Sequence, residues 1–60
     1  MIKLSKLNGG STLALNPAHI QSISNMRSVH GAEIVMVTGA RHEVQETAEK
    51  VFEMIEELRQ

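Results

Sequence analysis

Apolar and polar side chains alternate at the start of the chain, Ile2 and Leu4 against Lys3 and Ser5, and this period of two predicts a strand with one buried face. Leu7-Asn8-Gly9-Gly10-Ser11 follows, where Asn and Gly accept the positive φ of a tight reversal. Leu13 and Leu15 then resume the apolar face on either side of Ala14. Asn16-Pro17-Ala18-His19 predicts a local helical turn, with Asn16 as its cap and Pro17 at the first position, where a missing N–H costs nothing. Ile20 and Ile23 lie three apart, a spacing that suits the change from this turn into a short third strand around residues 21–26. Arg27-Ser28-Val29-His30-Gly31-Ala32 reads as an exposed connection or hairpin.

Glu33 to Thr38 is the strongest strand signal, because Ile34-Val35-Met36-Val37 joins β-branched residues to high hydrophobicity. Its consecutive apolar side chains point to both faces, so the second face needs cover, either from a partner or from a tightly curled barrel. Thr38-Gly39-Ala40-Arg41 predicts a second reversal, with Gly39 at positive φ, after which His42-Glu43-Val44 pairs back. The longest coherent periodicity closes the chain. Ala48, Val51, Phe52, Ile55 and Leu58 form one helical stripe, while Glu49, Lys50, Glu53, Glu56 and Glu57 mostly face away, which predicts a helix over about 47–59. Thr47 is the expected N-cap. Glu46 and Lys50 are spaced to interact in the first turn.

Together these elements predict an α+β fold: a small curled antiparallel sheet of four to five short strands with one C-terminal amphipathic helix, in a single small domain over residues 1–60. The expected core is Leu4, Leu13, Leu15, Ile20, Ile23, Ile34, Met36, Val51, Phe52, Ile55 and Leu58. The expected interaction surface combines the apolar Val35 and Val37 with the cations Lys3, Lys6, Arg27 and Arg41. Joining two copies through the sheet would bury Val35 and Val37 and leave the acidic helix face hydrated, so a homodimer or higher oligomer is expected. A monomer whose sheet curls around both sets of side chains is the alternative.

Composition supports this economy of means. Sixty residues with no cysteine and Phe52 as the one aromatic must fold around Ile, Leu, Val and Met with no disulfide to help. The lack of cysteine fits a reducing cytosol, and no secretory segment or apolar run of membrane-spanning length is visible, so a cytoplasmic protein without membrane insertion is expected. Residues 1–44 carry Lys3, Lys6, Arg27 and Arg41 against Glu33 and Glu43, a net charge of +2. Residues 45–60 carry Lys50 and Arg59 against Glu46, Glu49, Glu53, Glu56 and Glu57, a net charge of −3. A faintly basic sheet under an acidic helix lacks both the cationic excess and the interleaved aromatics of a nucleic-acid binder, and its acidic face opposes attraction to anionic lipid.

Candidate chemistry is sparse. His19, His30 and His42 stand 11 and 12 residues apart with no pair at metal-ligand spacing. The glutamates of the terminal segment are spaced as a solvated helix face, and the chain has no Asp to oppose them. The serines lack a nucleophile-elbow sequence, and Asn8-Gly9-Gly10-Ser11 lacks the spacing and Lys-Ser/Thr ending of a phosphate loop. No catalytic residue, metal ligand or cofactor site is assigned, and a non-enzymatic role is expected.

One resemblance supplies a role. The opening Met1-Ile2-Lys3-Leu4-Ser5-Lys6-Leu7-Asn8-Gly9, then Leu15-Asn16-Pro17, Ile20 with Ile23, a hydrophobic strand ending in Gly39, and Val44-Gln45-Glu46-Thr47-Ala48-Glu49-Lys50-Val51 follow one another in a familiar order. In these features the chain resembles the FlbD and swarming-motility family of short proteins encoded among bacterial flagellar and chemotaxis genes. The resemblance implies a cytoplasmic accessory protein supporting flagellar motility, an adaptor that contacts another motility protein or itself, with no substrate chemistry to transfer. A small nucleic-acid-binding regulator and a bacterial or phage structural or assembly protein are the competing expectations.

Overall fold

Strand β1 (Ile2–Ser5) realises the N-terminal alternation in a computed structural model that describes residues 1–59: Ile2 and Leu4 are buried and Lys3 is exposed. It pairs antiparallel with β2 (Thr12–Leu15), Ile2 opposite Leu15 and Leu4 opposite Leu13. Gly9 and Gly10, at φ of 86° and 69°, turn the chain between them, and the Lys6 N–H donates to the Ser11 carbonyl at 2.8 Å. A 3-10 turn at Pro17–His19 comes next, its Asn16 Oδ1 accepting from the Ala18 N–H at 3.0 Å.

Strand β3 (Ile20–Asn25) pairs with β4 (Ala32–Met36), and its register shifts between Ile20 and Ser22. That irregularity explains the spacing of Ile20 and Ile23: an extra residue lets two positions three apart both pack against the core, which a regular strand forbids. β4 turns back into β5 (Arg41–Val44) through Gly39 at φ 94°, whose N–H donates to the Met36 carbonyl at 2.9 Å. The reversal between β4 and β5 therefore holds Gly39 in the conformation its sequence context predicts.

The strands form two sheets, β1-β2 and β3-β4-β5, rather than one. They are stitched where β1 runs out beside β5. Lys6 bridges Val44, the Leu7 N–H donates to the Glu43 carbonyl at 3.0 Å, and the Gln45 N–H donates to the Ser5 carbonyl at 2.8 Å. The result is a curled ribbon in the order β2, β1, β5, β4, β3. One cluster of buried side chains fills it, with Leu4, Ile34, Val44 and Val51 fully enclosed.

The apolar run of β4 resolves differently from expectation. The strand starts one residue earlier and ends at Met36, so Ala32, Ile34 and Met36 point inward, Val35 is half-buried, and Val37 lies in the following turn at 59% exposure. Four consecutive apolar residues thus do not demand two covered faces, because the last of them has left the strand.

Helix α1 (Ala48–Leu58) lies across the ribbon. Ala48 and Val51 are buried, and Met54 and Ile55 pack partly buried against the core, but Phe52 and Leu58 are 54% and 53% exposed. The expected placement of Phe52 and Leu58 in the core is corrected. Phe52 sits about 100° around the helix from Val51, and on that flank the sheet ends at β3. Leu58, in the last turn, is likewise left open to solvent. Of the other expected core residues, Leu4, Leu15, Ile34, Met36 and Val51 are buried, and Leu13, Ile20, Ile23 and Ile55 are partly so. Among the described residues, no helix is long and apolar enough to cross a membrane.

Candidate functional site

The helix is anchored at its N-terminus. Thr47 Oγ1 accepts from the Lys50 N–H at 3.3 Å, the capping contact its sequence position predicts. Asn25, at the end of β3, reaches across to the same turn: its Oδ1 accepts from the Ala48 N–H at 2.8 Å and its Nδ2 donates to Glu49 Oε1 at 3.1 Å. Two of the four N–H groups that a helix start leaves without an intrahelical acceptor are satisfied in this way. Glu46 does not pair with Lys50 as its spacing suggests. Its two carboxylate oxygens accept from the Ser5 N–H at 3.0 and 3.1 Å, and Lys50 instead lies 3.9 Å from Glu53. Gln45 Nε2 donates to the Lys6 carbonyl at 3.0 Å. Gln45 to Ala48 therefore tie α1 to both β1 and β3.

With its start fixed, the helix leaves a groove along each flank. The larger, of about 590 Å³, runs between α1 and the edge of β3, with Pro17, Ile20 and Ile23 on one wall, Phe52 and Ile55 on the other, and Glu56 and Arg59 at its end. Opposite it, a groove of about 360 Å³ is lined by Met1, Ile2, Lys3, Met54 and Leu58. A third, of about 290 Å³, opens on the ribbon between Lys6, Asn8, Leu13, Arg41 and His42.

The residues expected to form one interaction surface are divided among these places. Lys6 and Arg41 share the third groove, Lys3 belongs beside the helix, and Arg27 stands in the connection between β3 and β4. Arg41 is also within 4.0 Å of Glu33. Val35 lies opposite Ser22 on one side and Arg41 on the other, while Val37 is exposed in the β4–β5 turn. His19, His30 and His42 occupy the 3-10 turn, the β3–β4 connection and β5, and among the described residues no three His, Cys, Asp or Glu side chains gather closely enough to hold a metal ion.

Reading the helix as a five-residue core stripe missed the larger groove. The signal was present in the neighbours of Phe52. Glu49, Glu53 and Glu56 stand at three before, one after and four after it, so the ring lies on the polar border of the helix and not in the middle of its apolar arc.

No curated protein and no solved structure matches the chain. A family model described as flagellar and swarming motility proteins does match it, over residues 1–60, which takes in the β1–β2 reversal, the Asn16-Pro17 turn and the Gln45–Ala48 anchor of the helix. The chain belongs to the FlbD family of flagellar and swarming motility proteins.

Proposed function

We propose that this chain is a non-enzymatic accessory protein of bacterial flagellar motility that works in the cytoplasm through protein–protein contact, including contact with copies of itself. The observation that carries the reading is Phe52: the one aromatic of the chain stands half exposed beside an open groove of mixed apolar and polar lining on a member of a motility family. Aromatic side chains on a surface supply large apolar area with little rotamer entropy to lose, and they are concentrated where proteins meet. A chain without cysteine suits the reducing interior of the cell.

The test is retention in native, flagellated cells. A tagged chain expressed from its own locus should remain with flagellar components after lysis, and nuclease treatment should not release it. Release by nuclease, together with RNA or DNA binding that collapses as salt rises, would replace this reading with a nucleic-acid-binding regulator. Retention on a non-flagellar assembly would replace it with a structural role elsewhere.

A further inference from the structure

We infer that Asn8, at the tip of the β1–β2 reversal, is a site of spontaneous covalent modification, where the side-chain amide is lost as ammonia and a carboxylate takes its place. The chain has three asparagines, and the structure separates them. Loss of the amide requires the backbone nitrogen of the following residue to reach the asparagine Cγ. That residue must own an N–H, the N–H must be free, and the side chain must be free to turn toward it. Asn16 fails because Pro17, which follows it, has no N–H, and its Oδ1 is held by the Ala18 N–H at 3.0 Å. Asn25 fails on the other two counts. Its Oδ1 and Nδ2 are engaged by Ala48 and Glu49 at 2.8 and 3.1 Å, and the Met26 N–H donates to the Gly31 carbonyl at 3.1 Å.

Asn8 meets all three conditions. Among the described residues neither its side chain nor the Gly9 N–H makes a hydrogen bond, and Asn8, Gly9 and Gly10 are all exposed. Gly9 has no Cβ to block the approach, and beyond its chain neighbours no atom lies within 4 Å of the place where one would be. The reversal is closed below this point by the Lys6 N–H on the Ser11 carbonyl, so the backbone from Asn8 to Gly10 can rotate without breaking the β1–β2 ladder. The Gly9 nitrogen gives its proton to solvent and attacks Asn8 Cγ. The new C–N bond closes a cyclic imide, and the side-chain nitrogen takes a proton from solvent and leaves as ammonia. One water molecule then opens the ring. Cleavage of the bond just formed gives aspartate, whereas cleavage of the original Asn8–Gly9 peptide bond gives isoaspartate, with the backbone rerouted through Cγ. The product stands in the groove of about 290 Å³, which holds the fixed cations Lys6 and Arg41 against the one carboxylate of Glu43. A second carboxylate there cancels the positive excess of the groove, so this reversal doubles as a slow, one-way change of surface charge.

Mass spectrometry of the intact, folded chain held at about pH 8.5 and about 37 °C follows the gain of about 1 Da that the exchange brings. Trypsin cuts after Lys6 and Arg27, so all three asparagines fall in one peptide and its fragments report on each under identical conditions. Asn8 should convert over days to a mixture of aspartate and isoaspartate, at least about tenfold faster than Asn16 or Asn25 and within about tenfold of a free peptide of residues 7–11. The rate should rise with pH, because the attacking nitrogen must lose its proton. The circular dichroism spectrum should stay unchanged, since the modified tip buries no side chain. Asn8→Gln should hold its mass over the same period, because the longer side chain must close a larger ring. An Asn8 that stays intact in the folded chain would overturn the proposal. So would a mass gain that begins at Asn16 or Asn25, or one that appears only after urea has unfolded the chain.

Discussion

Gly31→Ala is expected to remove a large part, and at the lower end of the stability range all, of the chain's folding free energy. Gly31 is buried at φ 151°, and a Cβ there would collide with the Val44 carbonyl oxygen and stand 3.0 Å from Met26 Cε. The methionine end can swing aside, but the carbonyl cannot. Val44 is fully buried where β4, β5 and the end of β1 come together, its neighbours bonded on both sides. Adding the unfavourable φ, the substitution should cost more than about 3 kcal/mol, against a net stability on the order of 3 to 9 kcal/mol for a chain of this length. Urea denaturation followed by circular dichroism decides it. A cooperative transition within about 1 kcal/mol of the parent would mean that β5 can move away from Gly31.

Ile34→Ala should cost about 2 to 5 kcal/mol, the range for emptying a fully enclosed aliphatic site. Ile34 occupies the middle of β4, opposite Ile23 on β3 and His42 on β5, and has no exposed surface. Both neighbouring strands are held by their own ladders, so collapse around the missing methyl groups is limited. Phe52→Ala is the informative contrast. With its ring half in solvent, it should cost less than about 1 kcal/mol at concentrations where the chain is monomeric, although Phe is the larger side chain. Equal losses from the two substitutions would restore Phe52 to the core.

These two sites also mark what the amino-acid pattern revealed and what it hid. Period-two alternation in Ile2–Ser5, the turn chemistry of Asn8-Gly9-Gly10 and Asn16-Pro17, and the cap at Thr47 are local signals, and each element they predict is present. Gly31 was invisible as a constraint, because its need for a bare Cα arises from Val44, thirteen residues later and one strand over. The same holds for Glu46. Its spacing to Lys50 suggests a pair within the helix, while its actual partner, the Ser5 N–H, comes from the other end of the chain. Phe52 was misplaced because helical periodicity gives the direction of an apolar arc but not the width of the sheet beneath it. β3 ends the sheet just where the ring would need cover.

The cations and Val37 expected to form a surface are exposed, but the amino-acid pattern did not show where folding would place them. Exposed cations on the sheet and a surface valine at position 37 are present, yet Lys3, Lys6 and Arg41 are distributed over two grooves and Arg27 lies apart from both. The groove beside Phe52 combines residues 17–23 with residues 52–59, segments about thirty positions apart in sequence that only the closing helix brings together.

Swarming of cells whose own copy carries Phe52→Gln tests most directly whether this protein serves motility through its exposed helix flank. Glutamine is a good helix former and adds no charge to the acidic face, so the variant should accumulate to parental levels and melt within about 2 °C of the parent when monomeric. Swarm expansion should nevertheless be lost or severely reduced. Parental swarming at parental protein level would contradict the account, because the one exposed aromatic would then make no contact that motility requires.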